Sequence, residues 1–103
     1  MAELRVVISR FVDEHEPGFV ECTFDDAQGD RHCFVEKVPI VSAENLWSDS
    51  AYPKPGAIRC RVEAEWDDAR GRTLARVSTE HPDGVESTSG LTKFVVLASQ
   101  VEP

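Results

Sequence analysis

The chain has 103 residues, of which 41% are hydrophobic and 29% charged, and a formal net charge of −8. These values are typical of one soluble globular domain and exclude a disordered chain. The excess of acidic residues disfavours general nucleic-acid binding, because phosphates attract Lys and Arg, and it favours a protein partner with a basic patch.

Nothing in the sequence indicates export or a membrane helix. The longest uninterrupted apolar run, residues 94–98, is far shorter than the ~20 residues that a membrane helix needs. Residues 1–5 lack the basic start and apolar stretch of a signal peptide. The three cysteines form no C-x-x-C pair and cannot all be bridged within one chain. A cytoplasmic protein is therefore expected.

Three strands are predicted in the first part of the chain. Alternating apolar residues predict a strand over residues 3–12, and a turn at Pro17-Gly18 leads into a second strand over 19–25. A three-residue loop at 27–29 leads to a third strand, which should end near Pro39 because proline cannot donate to a central ladder.

The stretch 20–29 resembles the stretch 62–71, since each alternates and then runs into Asp-Ala-x-Gly. That motif suits a three-residue hairpin loop that closes at the glycine. The resemblance ends after the glycine, so it indicates convergence at least as much as duplication. The loops set a register that pairs Phe24 with His32, Cys22 with Phe34, Val20 with Glu36 and Trp66 with Leu74. Cys22 and Cys33 then point to opposite faces, which argues against a disulfide.

A long connection over residues 39–56 separates the two hairpins. Within it, Ser42 is predicted to cap a single helical turn, and residues 52–56 should be extended before they turn. A loop of this length in a compact domain is more often functional than a short one.

Further strands are predicted over residues 57–66, 73–80, 85–88 and 91–98, with a turn at 81–84. On the first of these, the residues predicted to face the core are Ile58, Cys60, Val62, Ala64 and Trp66. The chain therefore predicts a single all-β domain over residues 1–103, a small antiparallel barrel of about seven short strands.

Three polar residues, His32, Glu36 and Arg76, fall on faces that are otherwise predicted to be apolar. A buried polar cluster of this kind could change the pKa of His32 and serve a small-ligand binder or an enzyme. Strand ends or a bulge, where the side chains reach water, are the alternative.

No pattern indicates a metal, a cofactor or a catalytic nucleophile. The three histidines lack ligand spacing, and no Cys-His group resembles a zinc motif. Cys22 and Cys60 lie on predicted core faces, no elbow motif positions a serine, and no glycine-rich loop leads into a helix. A protein without enzymatic activity or cofactor is expected.

The long connection carries the candidate partner-binding residues Trp47, Tyr52, Pro53 and Pro55. Aromatic residues of this kind often anchor protein interfaces. The alternative is that Leu46 and Trp47 simply plug one end of the barrel.

The strand count, the opening alternation of Leu4–Ile8 and the segment Gly29–His32 before a strand resemble the β-barrel domains of elongation factor Tu-type proteins. The GTPase domain of that family is absent here, so GTP hydrolysis is not implied. Such barrels contact protein and tRNA in the family, although the charge of −8 opposes a tRNA role. Residues 34–39 also resemble small uncharacterised bacterial proteins, which implies no known activity and no site residue.

The sequence thus predicts a non-enzymatic protein-interaction module, an adaptor or an immunity-type protein, for a basic partner. One alternative is a small-ligand binder or enzyme that uses the polar cluster. Another is an RNA-associated, translation-factor-like barrel. The oligomeric state is not predicted.

Overall fold

The computed structural model describes all 103 residues and contains seven strands in one antiparallel sheet. The strands are β1 (Ala2–Asp13), β2 (Phe19–Asp25), β3 (Arg31–Lys37), β4 (Lys54–Asp67), β5 (Thr73–Ser78), β6 (Lys93–Leu97) and β7 (Val101–Glu102). One helix, α1 (Val38–Val41), follows β3, and a 3-10 turn spans Ala98–Gln100. The strand order is β3-β2-β1-β4-β5-β6, with β7 beside β1. The predicted all-β antiparallel domain is confirmed.

Two long strands curl the sheet into a half-barrel. The first half of β4 pairs with β1, and its second half pairs with β5. In the same way, β1 pairs with β4 through residues 2–8 and with β2 through residues 7–13. Bulges in the β1–β2 ladder add further bending. Because each long strand changes partner midway, the sheet folds over its own inner face.

The core fills the space inside this curl with seventeen buried apolar residues. At one end, Phe94 of β6 reaches across to the β2–β3 hairpin, with its ring centroid 5.2 Å from Phe24 and 4.9 Å from His32. Each large apolar side chain buried in this way contributes about 1.5–3 kcal/mol relative to exposure. Isolated backbone hydrogen bonds also join the two ends of the sheet, from Ala27 N to Val95 O at 3.0 Å and from Thr88 N to Cys33 O at 2.8 Å.

The two Asp-Ala-x-Gly turns have the same hydrogen bonds. In each turn the aspartate Oδ1 accepts two backbone N–H groups, at 2.9 and 3.0 Å for Asp26 and both at 2.9 Å for Asp68. The closing glycines have φ values of 87° and 77°, which the turn requires and which glycine adopts without strain. The two turns also touch, because Arg72 Nη1 donates to Ala27 O at 3.1 Å.

The register predicted from these turns is confirmed. The structure pairs Phe24 with His32, Cys22 with Phe34, Val20 with Glu36 and Trp66 with Leu74. All three cysteines are free, as the opposite directions of Cys22 and Cys33 indicated.

The prediction of which β4 residues face the core is right for the first half of the strand only. Ile58 and Cys60 are buried in the core, but Val62 and Trp66 are exposed. The β4–β5 ladder has an irregularity between Val62 and Ala64, and a bulge at this point disrupts the alternation that the sequence suggests.

The predicted helical turn is placed too late in the chain. Helix α1 begins directly after β3, with Pro39 in its first turn, where a missing N–H costs no hydrogen bond. Ser42 follows the helix, and its Oγ accepts a hydrogen bond from Glu44 N at 3.0 Å. Ser42 therefore stabilises the turn after a helix instead of capping the start of one.

The strand predicted over residues 85–88 does not form. Val85 N donates to Thr79 O, whereas Thr88 N donates to Cys33 of β3, so the segment crosses between the two ends of the sheet. Val85 is buried. Its apolar character therefore reflects packing into the core and not a strand ladder.

Candidate functional site

In the connection between α1 and β4, two neighbouring apolar residues have opposite environments: one lies in the core and the other at the surface. Leu46 is 4% exposed and belongs to the core cluster, whereas Trp47 is 64% exposed. The alternative that both residues plug the barrel is therefore right for Leu46 and wrong for Trp47. An exposed tryptophan of this kind is a frequent anchor of protein interfaces.

The backbone of Trp47 is held in place although its ring is free. The Tyr52 hydroxyl donates to Trp47 O at 2.7 Å, and the Tyr52 ring packs against the core. Trp47 N also donates to Ser50 Oγ at 2.9 Å, and Ser50 N donates back to Trp47 O at 3.1 Å. Because this turn is already ordered, a partner that contacts Trp47 loses less conformational entropy on binding.

Two cavities adjoin Trp47. The first has a volume of about 280 Å³ and lies towards the β1–β2 turn, where Phe11 and Glu14 contribute to its wall. The second, of about 160 Å³, lies towards α1 and the residues after it, including Glu44. Four residues line both cavities: Glu16, Pro17, Leu46 and Trp47.

The charged residues of both cavities are all acidic. Glu14 and Glu16 line the first cavity, Glu16 and Glu44 line the second, and neither lining contains Lys or Arg. Glu14 and Glu16 are exposed and form no ion pair, while Glu44 Oε2 accepts a hydrogen bond from Lys54 Nζ at 3.0 Å. A negatively charged wall beside an indole ring favours a cationic side chain.

The two prolines predicted for the same surface lie elsewhere. Pro53 and Pro55 line a separate groove of about 520 Å³ on the outer face of the sheet, together with Val7 and Thr23. The structure therefore joins Trp47 with Tyr52, and neither proline lines a cavity beside Trp47, although Pro55 also lines a neighbouring cleft together with Glu44.

Two residues of the predicted polar cluster, His32 and Arg76, pair with residues outside it. His32 Nε2 lies 2.8 Å from Asp26 Oδ2, and Arg76 Nε lies 3.7 Å from Glu63 Oε1. No hydrogen bond or ion pair joins any two of His32, Glu36 and Arg76.

Arg76 lies on the opposite face of β5 from the one expected. Its neighbours Ala75 and Val77 belong to the core cluster, whereas the Arg76 side chain is half-exposed. The predicted apolar face of this strand therefore points away from the main core cluster, although Leu74 on it is also buried.

Glu36 and Cys22 lie close together near the inner face, and neither has the chemistry of a nucleophilic centre. Burial raises the pKa of Glu36, although a backbone hydrogen bond from Lys37 and the charge of Lys37 partly oppose the rise. Burial, followed by the charges of Glu36 and Glu21, raises the pKa of the Cys22 thiol to about 12. Cys22 is therefore protonated at neutral pH and is not the thiolate that nucleophilic catalysis needs.

The sequence did not single out Glu14, Glu16 or Glu44 as site residues. The only local signal was the acidic run that precedes Pro17-Gly18. The fold, and not sequence proximity, brings this run beside Trp47.

No three His, Cys, Asp or Glu side chains converge in an arrangement that could hold a metal ion. The single α-helix has four residues, so no helix is long enough to cross a bilayer.

No protein-family model, curated protein or solved structure matches the chain. The resemblance to the barrel domains of elongation factor Tu-type proteins therefore stays a prediction.

Proposed function

We propose that this protein is a non-enzymatic interaction module that binds a protein partner through a basic segment, with Trp47 at the centre of the contact. The observation that carries the proposal is the highly exposed indole of Trp47 on an anchored turn, beside two cavities whose only charged lining residues are acidic. A cytoplasmic location, where free cysteines persist, is part of the proposal.

The energetics of such a contact favour Trp47 as the main anchor. Tryptophan is among the residues whose removal costs most at interfaces, typically about 2 kcal/mol or more at a hot spot. A cation against an indole face contributes about 0.5–2 kcal/mol, depending on how far it is desolvated. The net charge of −8 would also attract a basic partner over several ångströms and raise the association rate.

The proposal is tested by affinity purification from a lysate of the source organism with three baits: the wild-type chain, Trp47→Ala and Trp66→Ala. Trp66 is the only other tryptophan and lies in the second half of β4, so it is the matched control. We expect the wild-type and Trp66→Ala baits to capture the same basic partner, and the Trp47→Ala bait to retain less than about a tenth of it. Equal capture by Trp47→Ala, with its fold verified by circular dichroism, would refute the proposed contact.

A further inference from the structure

We propose that the outer face of the second half of β4, β5 and β6 is a second binding surface, which takes an acidic segment of a protein partner that also carries apolar side chains. This inference goes beyond the proposed function, because the place on the fold and the charge of the partner both differ from those at Trp47. It follows from the register of the three strands, which sets the outward side chains in rows across the sheet.

Three rows of side chains make up this outer face. Successive residues of a strand point to opposite faces, and residues that lie opposite each other in an antiparallel ladder share a face. The residues of β5 and β6 that belong to the core cluster are Ala75, Val77, Phe94 and Val96, so the residues between them point outwards. With their partners on β4, the outward rows are Arg61–Ser78–Lys93, Ala64–Arg76–Val95 and Trp66–Leu74–Leu97.

One end of the face has an excess of positive charge. Lys93 Nζ lies 3.3 Å from Glu63 Oε2 and Arg76 Nε lies 3.7 Å from Glu63 Oε1, so two cations share one carboxylate. Arg61 is exposed and forms no ion pair. Together with Glu63, the rows therefore carry three cations and one carboxylate, although the whole chain has a net charge of −8. Local positive charge of this kind favours an anionic group of a partner.

The other end of the face exposes apolar side chains. Trp66 is 38% exposed and Val95 is 37% exposed, although both lie on regular strands. Ser78 of the cationic row and Leu74 of the apolar row are four residues apart on β5, which is about 13–14 Å along a strand. An extended segment of about five residues therefore reaches from the cations to the indole of Trp66. Apolar contacts beside charged ones are typical of protein interfaces.

The charge of the whole molecule favours a short acidic segment over the other anionic partners. A long nucleic acid extends beyond the three cations and meets the remaining surface, which carries the excess of acidic residues. A second copy of this chain brings the same net charge of −8 and is repelled. A short segment contacts only the local cations and the apolar row.

The test is an NMR titration of the ¹⁵N-labelled protein at low ionic strength with three nine-residue peptides. The first has three glutamates at one end and three leucines at the other, in a Gly/Ser background. The second replaces the leucines with serines, and the third replaces the glutamates with lysines. We expect the first peptide to shift amide resonances of β5 and β6 and the Trp66 indole resonance, and to bind about three times as tightly as the second. The third should leave these resonances unchanged.

Charge variants of the face give the sharper measurement with the first peptide. We expect Arg61→Gln and Lys93→Gln each to weaken binding about threefold, because each removes one cation. Glu63→Gln removes the carboxylate that two cations share, and should tighten binding about twofold. Arg70→Gln, at an exposed arginine in the second Asp-Ala-x-Gly turn, is the control and should leave the affinity nearly unchanged.

Several results would overturn this second surface without affecting the proposed contact at Trp47. The surface is wrong if the first peptide shifts none of these resonances, or if Arg61→Gln, Lys93→Gln and Glu63→Gln all bind it like the wild type. Equal affinity for the first and second peptides excludes the apolar row. Shifts of the same resonances that depend on protein concentration without peptide would identify a second copy as the occupant. Tighter binding of a nine-nucleotide oligouridine at this face would identify RNA, and either result contradicts the acidic segment.

Discussion

At the residue scale, Asp26 and Asp68 perform the same two tasks in the two repeated turns. Besides the backbone bonds to Oδ1, Oδ2 of each pairs at 2.8 Å with a basic side chain, His32 for Asp26 and Arg72 for Asp68. Hydrogen bonds, first from the Arg72 backbone, lower the pKa of Asp68. Burial alone would raise the pKa of Asp26, but the bonds from His32 and the turn backbone together outweigh it and lower the pKa.

These lowered pKa values have a defined consequence for stability. Both carboxylates contribute stability above their unfolded pKa of about 3.8, and that contribution is lost as the pH falls through the lower folded values. The sequence predicted the backbone role of both aspartates, because the turn chemistry is local. It did not predict the basic partners of Oδ2, because nothing in the Asp-Ala-x-Gly motif specifies them.

The pKa of Glu36 is shifted in the opposite direction from those of Asp26 and Asp68. Its carboxylate is half-buried without an ion-pair partner, and burial raises its pKa above the ordinary value of 4.5. The folded state therefore favours the protonated acid, and the charge opposes folding at neutral pH. We expect Glu36→Gln to raise the free energy of unfolding at pH 7, and the gain to disappear well below pH 4.5, where both folded and unfolded carboxyls are protonated.

Urea denaturation of wild-type protein and Glu36→Gln between pH 3 and pH 8 measures this difference. Glu86→Gln, at an exposed position, is the control and should change stability little at any pH. A loss of stability in Glu36→Gln at pH 7, or a gain that does not depend on pH, would show that the charge of Glu36 is well accommodated.

At the element scale, the hairpins were predictable and the segments between them were not. Both Asp-Ala-x-Gly turns fix their strands through local geometry, so the register followed from the sequence alone. The bulge in β4, the early position of α1 and the crossing segment at 85–88 depend on what each part packs against. The same alternation of apolar and polar residues occurs in strands and in the irregular segment that buries Val85, so the sequence pattern does not distinguish them.

The β1–β2 turn depends on Gly18. This residue has φ of +90°, and a Cβ added to it would lie 2.9 Å from Phe11 Cζ. We expect Gly18→Ala to lower the free energy of unfolding by about 2–4 kcal/mol, combining left-handed strain with overpacking. The control Gly71→Ala has φ of +77° but no atom within 4 Å of the added Cβ, and should lose only about 1 kcal/mol.

Chemical denaturation of both glycine variants measures the difference. Equal losses in the two variants would mean that the Phe11 ring moves aside without cost. In that case Phe11 would not be a fixed part of the first cavity wall.

At the scale of the whole molecule, only part of the candidate site was readable from the sequence. Trp47 and Tyr52 stood out as aromatic residues in a long connection, and the structure joins them by a hydrogen bond. Pro53 and Pro55 shared that connection but line another groove, because β4 begins at Lys54, directly after Pro53, and includes Pro55. Glu14 and Glu16 were missed because they lie about thirty residues before Trp47, and only the fold unites them.

The charge of the molecule and the site support the same partner. The chain has 19 acidic and 11 basic residues, and the charged residues that line both cavities beside Trp47 are acidic, with Glu44 paired to Lys54 at 3.0 Å. Binding that depends on such charges weakens as salt screens them, over about 8–10 Å at physiological ionic strength. The indole of Trp47 adds a contribution that salt does not remove.

Fluorescence from single-tryptophan variants tests the proposed contact most directly. Trp66→Phe leaves Trp47 as the only indole, and Trp47→Phe leaves Trp66. Each variant is titrated with a Lys- and Arg-rich peptide at low and at high salt. We expect a saturable change of emission in Trp66→Phe, weaker at high salt, and none in Trp47→Phe. A saturable change in Trp47→Phe with none in Trp66→Phe would place cation binding away from Trp47 and contradict the proposed function.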